Sequence, residues 1–423
     1  MPEYTKLVGN RAILGIVQRT FNHVDPRLID HGARVAYLAN QLAQICGCFT
    51  PTQRRDICFL AMLHDIGAYK TEEISRIIQF ETQDVWDHSI YGYLFLKYFS
   101  PFSSLAPAVL FHHADWSFLR TITCDETSRR FAQLLNLCDR ADIFFGIPGN
   151  TMAQFIDQLA LGSGVRFDPE VVALFCRARL RRPTDGETLC SAFLPILEQV
   201  PFSDVQVDKL LKMVVFAIDF RSRHTVNHTV TTTSVSRQLA HYLGLGERER
   251  EEVVCGALLH DLGKIGIPVE ILEFPGKLSP QAMAVMRTHV DLTEAILGGE
   301  LSPVIRNISL RHHEKLDGSG YPRGLTGEEL SVEERVVAVA DIVSALCGTR
   351  SYKDAFPKEQ TLSIIRGMSG SGLIDGRIVA VMEEHFDAIM SFAASQCQPV
   401  LACYDQIQQE YGELRGRLAG AGA

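Results

Sequence analysis

What this chain lacks narrows its function before any motif is read. Its longest apolar runs, such as residues 213–218, are far too short to cross a bilayer, which needs roughly 20 apolar residues. The opening Met-Pro-Glu-Tyr-Thr-Lys does not have the form of a signal peptide, so a cytoplasmic protein with no membrane partner is expected. Basic residues are not in excess: the formal net charge is −9 and the pI about 5.9, which argues against a surface built to hold a long nucleic acid and leaves room for a local basic pocket. Low-complexity segments are absent, and stretches of strand-type alternation are few. Eleven cysteines are scattered along the chain, and the single close pair, Cys46-Gly47-Cys48, has no second pair to complete a metal site; reduced thiols are expected.

What is present is helical periodicity, and it comes twice. Apolar residues recur at helical spacing over residues 29–44, with His31 near the start. Residues 59–66 continue an apolar helix that ends in His64-Asp65-Ile66-Gly67. His88, His112-His113 and Asp139 follow, and then Phe167-Asp168-Pro169-Glu170, where Asp168 reads as an N-cap with Pro169 at the first helical position. In the second half, His228 opens a segment running to Leu243, residues 255–262 end in His260-Asp261-Leu262-Gly263-Lys264, and His289, His312-His313 and Asp341 come after. The offsets between corresponding residues are 197 (31 to 228), 196 (64 to 260), 201 (88 to 289), 200 (112 to 312) and 202 (139 to 341). Such regularity identifies a tandem repeat of one unit. The expected fold class is therefore all-α, with two tandem helical bundles, residues 1–185 and 202–423, joined near Pro201 by a helix over about residues 205–220.

Imidazole and carboxylate together are the usual ligands of divalent iron, manganese or zinc. The second copy supplies His228, His260, Asp261, His289, His312, His313 and Asp341. Seven ligands exceed the needs of one ion and suit two, with Asp261 as the natural bridge. Two metals clamp a phosphoryl centre by activating a water and stabilising attacking and leaving oxygens. Lys264, one helical turn past His260, can bring positive charge to that phosphate. Adjacent histidines cannot share one helical face, so His312 and His313 must reach the site from a helix end. They run into a glycine-rich loop, residues 317–322, that has no counterpart in the first copy.

On these residues the second copy resembles an HD-GYP domain, the bacterial branch of the HD phosphohydrolase superfamily. The matching elements are His224-Thr225-Val226-Asn227-His228, His260-Asp261-Leu262-Gly263-Lys264, His289, His312-His313-Glu314, Asp317-Gly318-Ser319-Gly320-Tyr321-Pro322, Ala340-Asp341 and Arg350-Ser351-Tyr352-Lys353. The first copy is similar to a divergent HD domain. The resemblance implies a non-haem pair of divalent metals, Fe(II) or else Mn(II), and hydrolysis of a 3′–5′ bond in a cyclic dinucleotide, either cyclic di-GMP to pGpG or 3′3′-cyclic GMP-AMP to pApG. It makes Lys264, Arg350 and Lys353 phosphate contacts and Tyr321 part of the pocket wall. It also points to diguanylate cyclase-type domains as partners of the glycine-tyrosine-proline loop, and a homodimer remains open. The alternatives are a non-catalytic adaptor that binds cyclic dinucleotides or cyclases, and a phosphohydrolase of mononucleotides.

Two departures from the family pattern stand out. His224 occupies the position where some members carry a glutamate for a third metal, which leaves its role open between ligand and exposed cap. Ser344 stands where many have an aspartate. The first copy keeps His31, His64, Asp65, His88, His112, His113 and Asp139, but has Ala68 in place of the lysine and Ala114-Asp115-Trp116-Ser117 in place of the loop. A regulatory or scaffolding role is expected of it.

Overall fold

Helix starts are written plainly into this chain. Thr50, Asp168, Ser279 and Ser302 each accept a hydrogen bond from a first-turn amide, and each is followed at once by a proline, Pro51, Pro169, Pro280 or Pro303. A short polar side chain satisfies one orphan N–H, and the proline, which has none to offer, starts the helix at a fixed φ. Thr151 and Ser331 close capping boxes with Gln154 and Glu334. The computed structural model describes residues 3–23, 30–68, 86–180, 182–183, 186–219, 227–274, 276–348 and 355–418. Among them every regular element is a helix, with two isolated bridges besides, as the periodicity predicts.

The chain divides into two compact units. One comprises Met1–His23 and Val214–Asp405, the other Val24–Met213 and Gln406–Ala423. The ends are thus exchanged relative to domains of 1–185 and 202–423: the first helix belongs with the second copy and the last turns of the final helix with the first. Spacing within each copy holds no information about this, because it depends on which distant helix a terminal segment meets.

In the second-copy unit the ligand-bearing helices are His228–Tyr242, Glu247–Leu259, His289–Leu297, Pro303–Leu310 and Val332–Cys347. Four of them share one buried core, in which Val235, Ala257, Ile308, Val339 and Ala340 are fully enclosed. Each apolar side chain so buried stabilises the unit by about 1.5–3 kcal/mol, Ala somewhat less. Ala257 lies one turn before His260, and Ala340 immediately before Asp341, so the packing that stabilises the bundle also fixes the ligands. The helix Asn10–Asn22 serves this unit through Arg19, whose Nε donates to Ile296 O at 2.7 Å and Nη2 to Leu297 O at 3.1 Å. Arg19 therefore caps the C-terminal end of the His289 helix, where cations and donors are favoured.

The first-copy unit repeats the plan with His31–Cys46, Pro51–Met62, Trp86–Phe99, Pro107–Leu110 and Glu126–Gly146. Its His88 helix is held by the end of Phe386–Leu418: Tyr411 Oη donates to Asp87 at 2.6 Å, Lys97 pairs with Glu410 at 2.7 Å, and the rings of Tyr91 and Tyr411 stack at 4.1 Å. In this unit Cys46 and Cys48 are joined as a disulfide, which corrects the expectation of reduced thiols for that pair; the other described cysteines whose side chains are placed are free.

Candidate metal centre

The local fold around His260-Asp261 explains why the pair sits where it does. The helix Glu247–Leu259 ends at His260, and the chain turns into a short 3-10 segment, Leu262–Gly266. Gly263 lies so close to the next ligand helix that a Cβ there would be 1.9 Å from His289 O and 2.6 Å from Thr293 N. Its amide donates to Thr293 Oγ1 at 2.9 Å. The glycine after the His-Asp pair is thus a packing requirement: it lets the His289 helix approach Asp261.

All seven residues expected as ligands in the second copy converge. Asp261 divides its two oxygens: Oδ2 lies 3.3 Å from His228 Nε2 and 3.1 Å from His260 Nε2, and Oδ1 lies 3.5 Å from His289 Nε2. Asp341 spans the opposite side, with Oδ1 3.0 Å from His228 Nε2 and Oδ2 3.7 Å from His313 Nδ1. His289 Nε2 and His312 Nε2 are 3.4 Å apart. Two ligand groups result, His228 with His260 and Asp261, and His289 with His312 and His313, the ligand atoms of each lying within 4.8 Å of one another. Such a pairing is what two neighbouring ions with a shared carboxylate require.

The outer nitrogen is fixed in four of the five imidazoles. Nδ1 of His260, His289 and His312 donates to the carbonyls of Ala257, Met286 and Ser309 at 2.7, 2.7 and 2.8 Å. Each of these carbonyls lies three residues upstream, near a helix end. His228 Nδ1 meets Ser344 Oγ at 3.0 Å, while that hydroxyl donates to His228 O. Outer partners of this kind orient a histidine so that Nε2 faces the metal. Ser344 therefore has a structural task that its departure from the family pattern does not reveal.

Electrostatics agree with a cation site. Burial alone would push the Asp261 carboxyl up, but His260 and Lys264 outweigh it and hold the carboxyl well below its usual range. Asp341 is likewise held low, by His228 above all, against its burial. Burial depresses His289 and His312, and carries His313 down to about 3, so these rings are neutral, the form that binds metal. His228 goes the other way: its burial is overcome by hydrogen bonds to Asp261 and Asp341, which raise it to about 9. His260 Nε2 and Asp261 Oδ1 are buried without a hydrogen-bond partner, a costly state that a metal ion relieves. The donor set fits divalent metals.

Lys264 Nζ stands 2.5 Å from Asp261 Oδ2, at the edge of the cradle. The loop beyond His313 forms a wall beside it. The ring of Tyr321 packs on that of His313 with centroids 4.6 Å apart, and the guanidinium of Arg287 lies over the Tyr321 ring at 4.7 Å. Glu314, almost fully buried, staples the loop by accepting from Arg323 N at 2.8 Å and Leu325 N at 3.0 Å. Asp317 Oδ1 accepts from Ser319 N at 3.0 Å, closing the turn before Gly320. Glu314 and Arg287 were not singled out for these tasks by sequence reasoning; Glu314 follows the paired histidines directly, which was the available signal. His224, Arg350 and Lys353 lie outside the described residues.

Comparison with known proteins now bears on this geometry. HD domain models match residues 28–144 and 212–378, one per copy. A 3′3′-cGAMP-specific phosphodiesterase of Vibrio cholerae is 26% identical over 397 residues, 89% of this chain and 91% of that protein. A cyclic di-GMP phosphodiesterase response regulator of Xanthomonas campestris is 33% identical over 267 residues, 60% of this chain and 70% of the relative. The chain belongs to the HD-GYP phosphodiesterase family. Among solved structures, a cyclic GMP-AMP specific phosphodiesterase of V. cholerae shares the fold, with a TM-score of 0.55 at 17% identity, covering 90% of this HD-GYP chain and 98% of that one. HD domains bind divalent metals, and this chain presents the histidine and aspartate clusters for them. No helix among the described residues is long and apolar enough to cross a membrane.

Proposed function

We propose that the second copy hydrolyses a 3′–5′ phosphodiester of a cyclic dinucleotide, with 3′3′-cyclic GMP-AMP, cleaved to pApG, as its first substrate and cyclic di-GMP, cleaved to pGpG, as its second. The observation that carries this reading is the carboxylate of Asp261, split between two histidine groups with Lys264 at its rim. A V. cholerae relative matched over nearly its whole length bears a 3′3′-cGAMP-specific name, which favours the hybrid dinucleotide as the substrate. His228, His260, Asp261 and Asp341 would hold one ion, and His289, His312, His313, Asp261 and Asp341 the other, Fe(II) being the preferred metal and Mn(II) the alternative. When bound, the pair supplies water activation and charge neutralisation at phosphorus.

The chain's own residues supply the rest. Lys264, released from Asp261, places its ammonium on a non-bridging phosphate oxygen as negative charge builds there. Asp261 and Asp341 keep the imidazoles aligned. Tyr321, in contact with both His313 and Arg287, bounds the space for a base, and the Glu314 staple keeps that wall in place. Arg350 and Lys353 are assigned to the second phosphate. The first copy, which lacks the lysine and the loop, is regulatory in this reading. Cyclase-type domains docking on residues 317–322, self-association and a cytoplasmic setting complete the proposal.

The test is chromatography of products after anaerobic incubation of metal-replete protein with 3′3′-cyclic GMP-AMP, cyclic di-GMP and a panel of mononucleotides. Linear pApG or pGpG is expected. Hydrolysis confined to mononucleotides, or tight binding of cyclic dinucleotides with no product, would overturn the proposal in favour of a mononucleotide phosphohydrolase or an adaptor.

A further inference from the structure

We propose that Arg287 recognises a guanine base of the bound nucleotide, an inference that rests on the reading of this centre as a cyclic dinucleotide site and adds to it the residue that selects the base. Arg287 ends the helix Pro280–Arg287, in which no residue is buried, so packing into the core does not account for what this helix presents to the site. Its end is nonetheless fixed from two directions. Met286 O accepts from Nδ1 of His289 at 2.7 Å, which ties the backbone beside Arg287 to a metal ligand. The guanidinium lies 4.7 Å from the centroid of the Tyr321 ring, and that ring lies 4.6 Å from the ring of His313. A cation over an aromatic face is held there by the ring while its N–H groups stay free to donate. Arg311, Arg323 and Arg335 of the same unit pair with Glu334, Glu294 and Asp375. The Arg287 side chain is exposed, and among the described residues no hydrogen bond or ion pair engages its guanidinium.

A guanidinium fork is planar and stays charged, which suits it to two acceptors set side by side in one plane. Phosphate oxygens and the O6/N7 edge of guanine both offer such a pair. Position decides between them. Lys264 stands on the Asp261 carboxylate at the edge of the cradle, where the phosphate to be cut lies, whereas Arg287 meets the ligand shell through the ring of Tyr321. A phosphate seated on the ions is separated from the edge of its base by a ribose, and the Tyr321 ring spans the corresponding gap on the protein side. A base laid beside that ring brings its outer edge to the guanidinium. Guanine offers two acceptors there; adenine offers one acceptor beside an amino donor, and an all-donor fork meets that donor unfavourably. Both proposed substrates contain guanine, so one residue serves both, and the selection it makes is against dinucleotides of adenine alone.

Calorimetric binding of the linear dinucleotides pGpG and pApA to the Mn(II)-loaded full chain measures base preference without any hydrolysis. The wild type is expected to bind pGpG about 10-fold or more tightly than pApA. Arg287→Ala should lose about 10-fold on pGpG and hold pApA within about twofold, with metal content and Tm unchanged. Arg287→Gln, whose amide matches the adenine edge, should move the preference toward pApA, and it decides by the same ratio if Arg287→Ala melts early. Equal losses on the two ligands in Arg287→Ala would make the residue a general anion contact and overturn the proposal; so would a preference for pGpG that survives the substitution, or none in the wild type. Turnover separates this from the functional reading. A pGpG preference lost in Arg287→Ala, in a protein that hydrolyses no cyclic dinucleotide, supports the guanine contact and sinks the reading of the centre. Hydrolysis of 3′3′-cyclic GMP-AMP with the same kcat/KM in Arg287→Ala and wild type upholds the reading and removes the contact.

Discussion

Gly263→Ala is the substitution whose consequence the structure determines most sharply. The added Cβ would stand 1.9 Å from His289 O, against the 3.0 Å below which real Cβ atoms are essentially never seen, so the two backbones must part by about 1.1 Å. The obstacle is a main-chain carbonyl at the start of the His289 helix, and no side-chain rotation can absorb it. His289 Nε2 moves with that carbonyl, away from Asp261 Oδ1, which it faces at 3.5 Å. A misplacement of about 1 Å at a reacting centre costs on the order of 100-fold in rate, or about 2.7 kcal/mol. Overpacking adds about 1–3 kcal/mol of destabilisation. Steady-state kinetics on a cyclic dinucleotide, with metal analysis and thermal denaturation on the same sample, should show kcat/KM down about 100-fold, reduced metal at the His289 side and a lowered Tm. A folded Gly263→Ala protein with wild-type metal content and turnover would refute the view that this glycine sets the ligand spacing.

Other substitutions probe the remaining parts. Lys264→Ala should lower kcat by roughly 100- to 1,000-fold while metal content stays at the wild-type level, because it removes transition-state charge and no ligand; a change in KM alone would contradict this. Glu314→Gln keeps one acceptor and loses the second, leaving a partly buried loop amide without its protein partner at a cost of about 1 kcal/mol, and should loosen residues 317–325 in hydrogen exchange. Arg19→Ala removes the cap on Ile296 O and Leu297 O and its pair with Glu300 at 2.9 Å; a loss of about 1 kcal/mol in urea denaturation is expected, with weaker metal retention.

Much of this was legible in the chain because ligand spacing is a local property. His-Asp at a helix end, a lone histidine opening the next ligand helix and a paired histidine after another are each short patterns, and their repetition some 200 residues apart made the two copies visible. The glycine of His260-Asp261-Leu262-Gly263 was readable as part of a motif, but the clash that requires it was not, since it involves Thr293 and His289 thirty residues on. Ser344 falls three residues after Asp341, yet its task appears only when the helix carrying it packs against His228. The exchange of chain ends was the least accessible. Arg19 reaches Ile296, and Glu410 and Tyr411 reach Lys97 and Asp87, through contacts about 280 to 320 residues apart that follow no period.

Hydrolysis by the full chain carrying Asp261→Ala, assayed anaerobically on 3′3′-cyclic GMP-AMP with Fe(II) or Mn(II) supplied, tests the central claim most directly. Turnover should fall to background while the helical spectrum persists, because Asp261 is the carboxylate that both ligand groups of the second copy share. Wild-type turnover by folded Asp261→Ala would place the chemistry elsewhere and contradict the assignment of this centre.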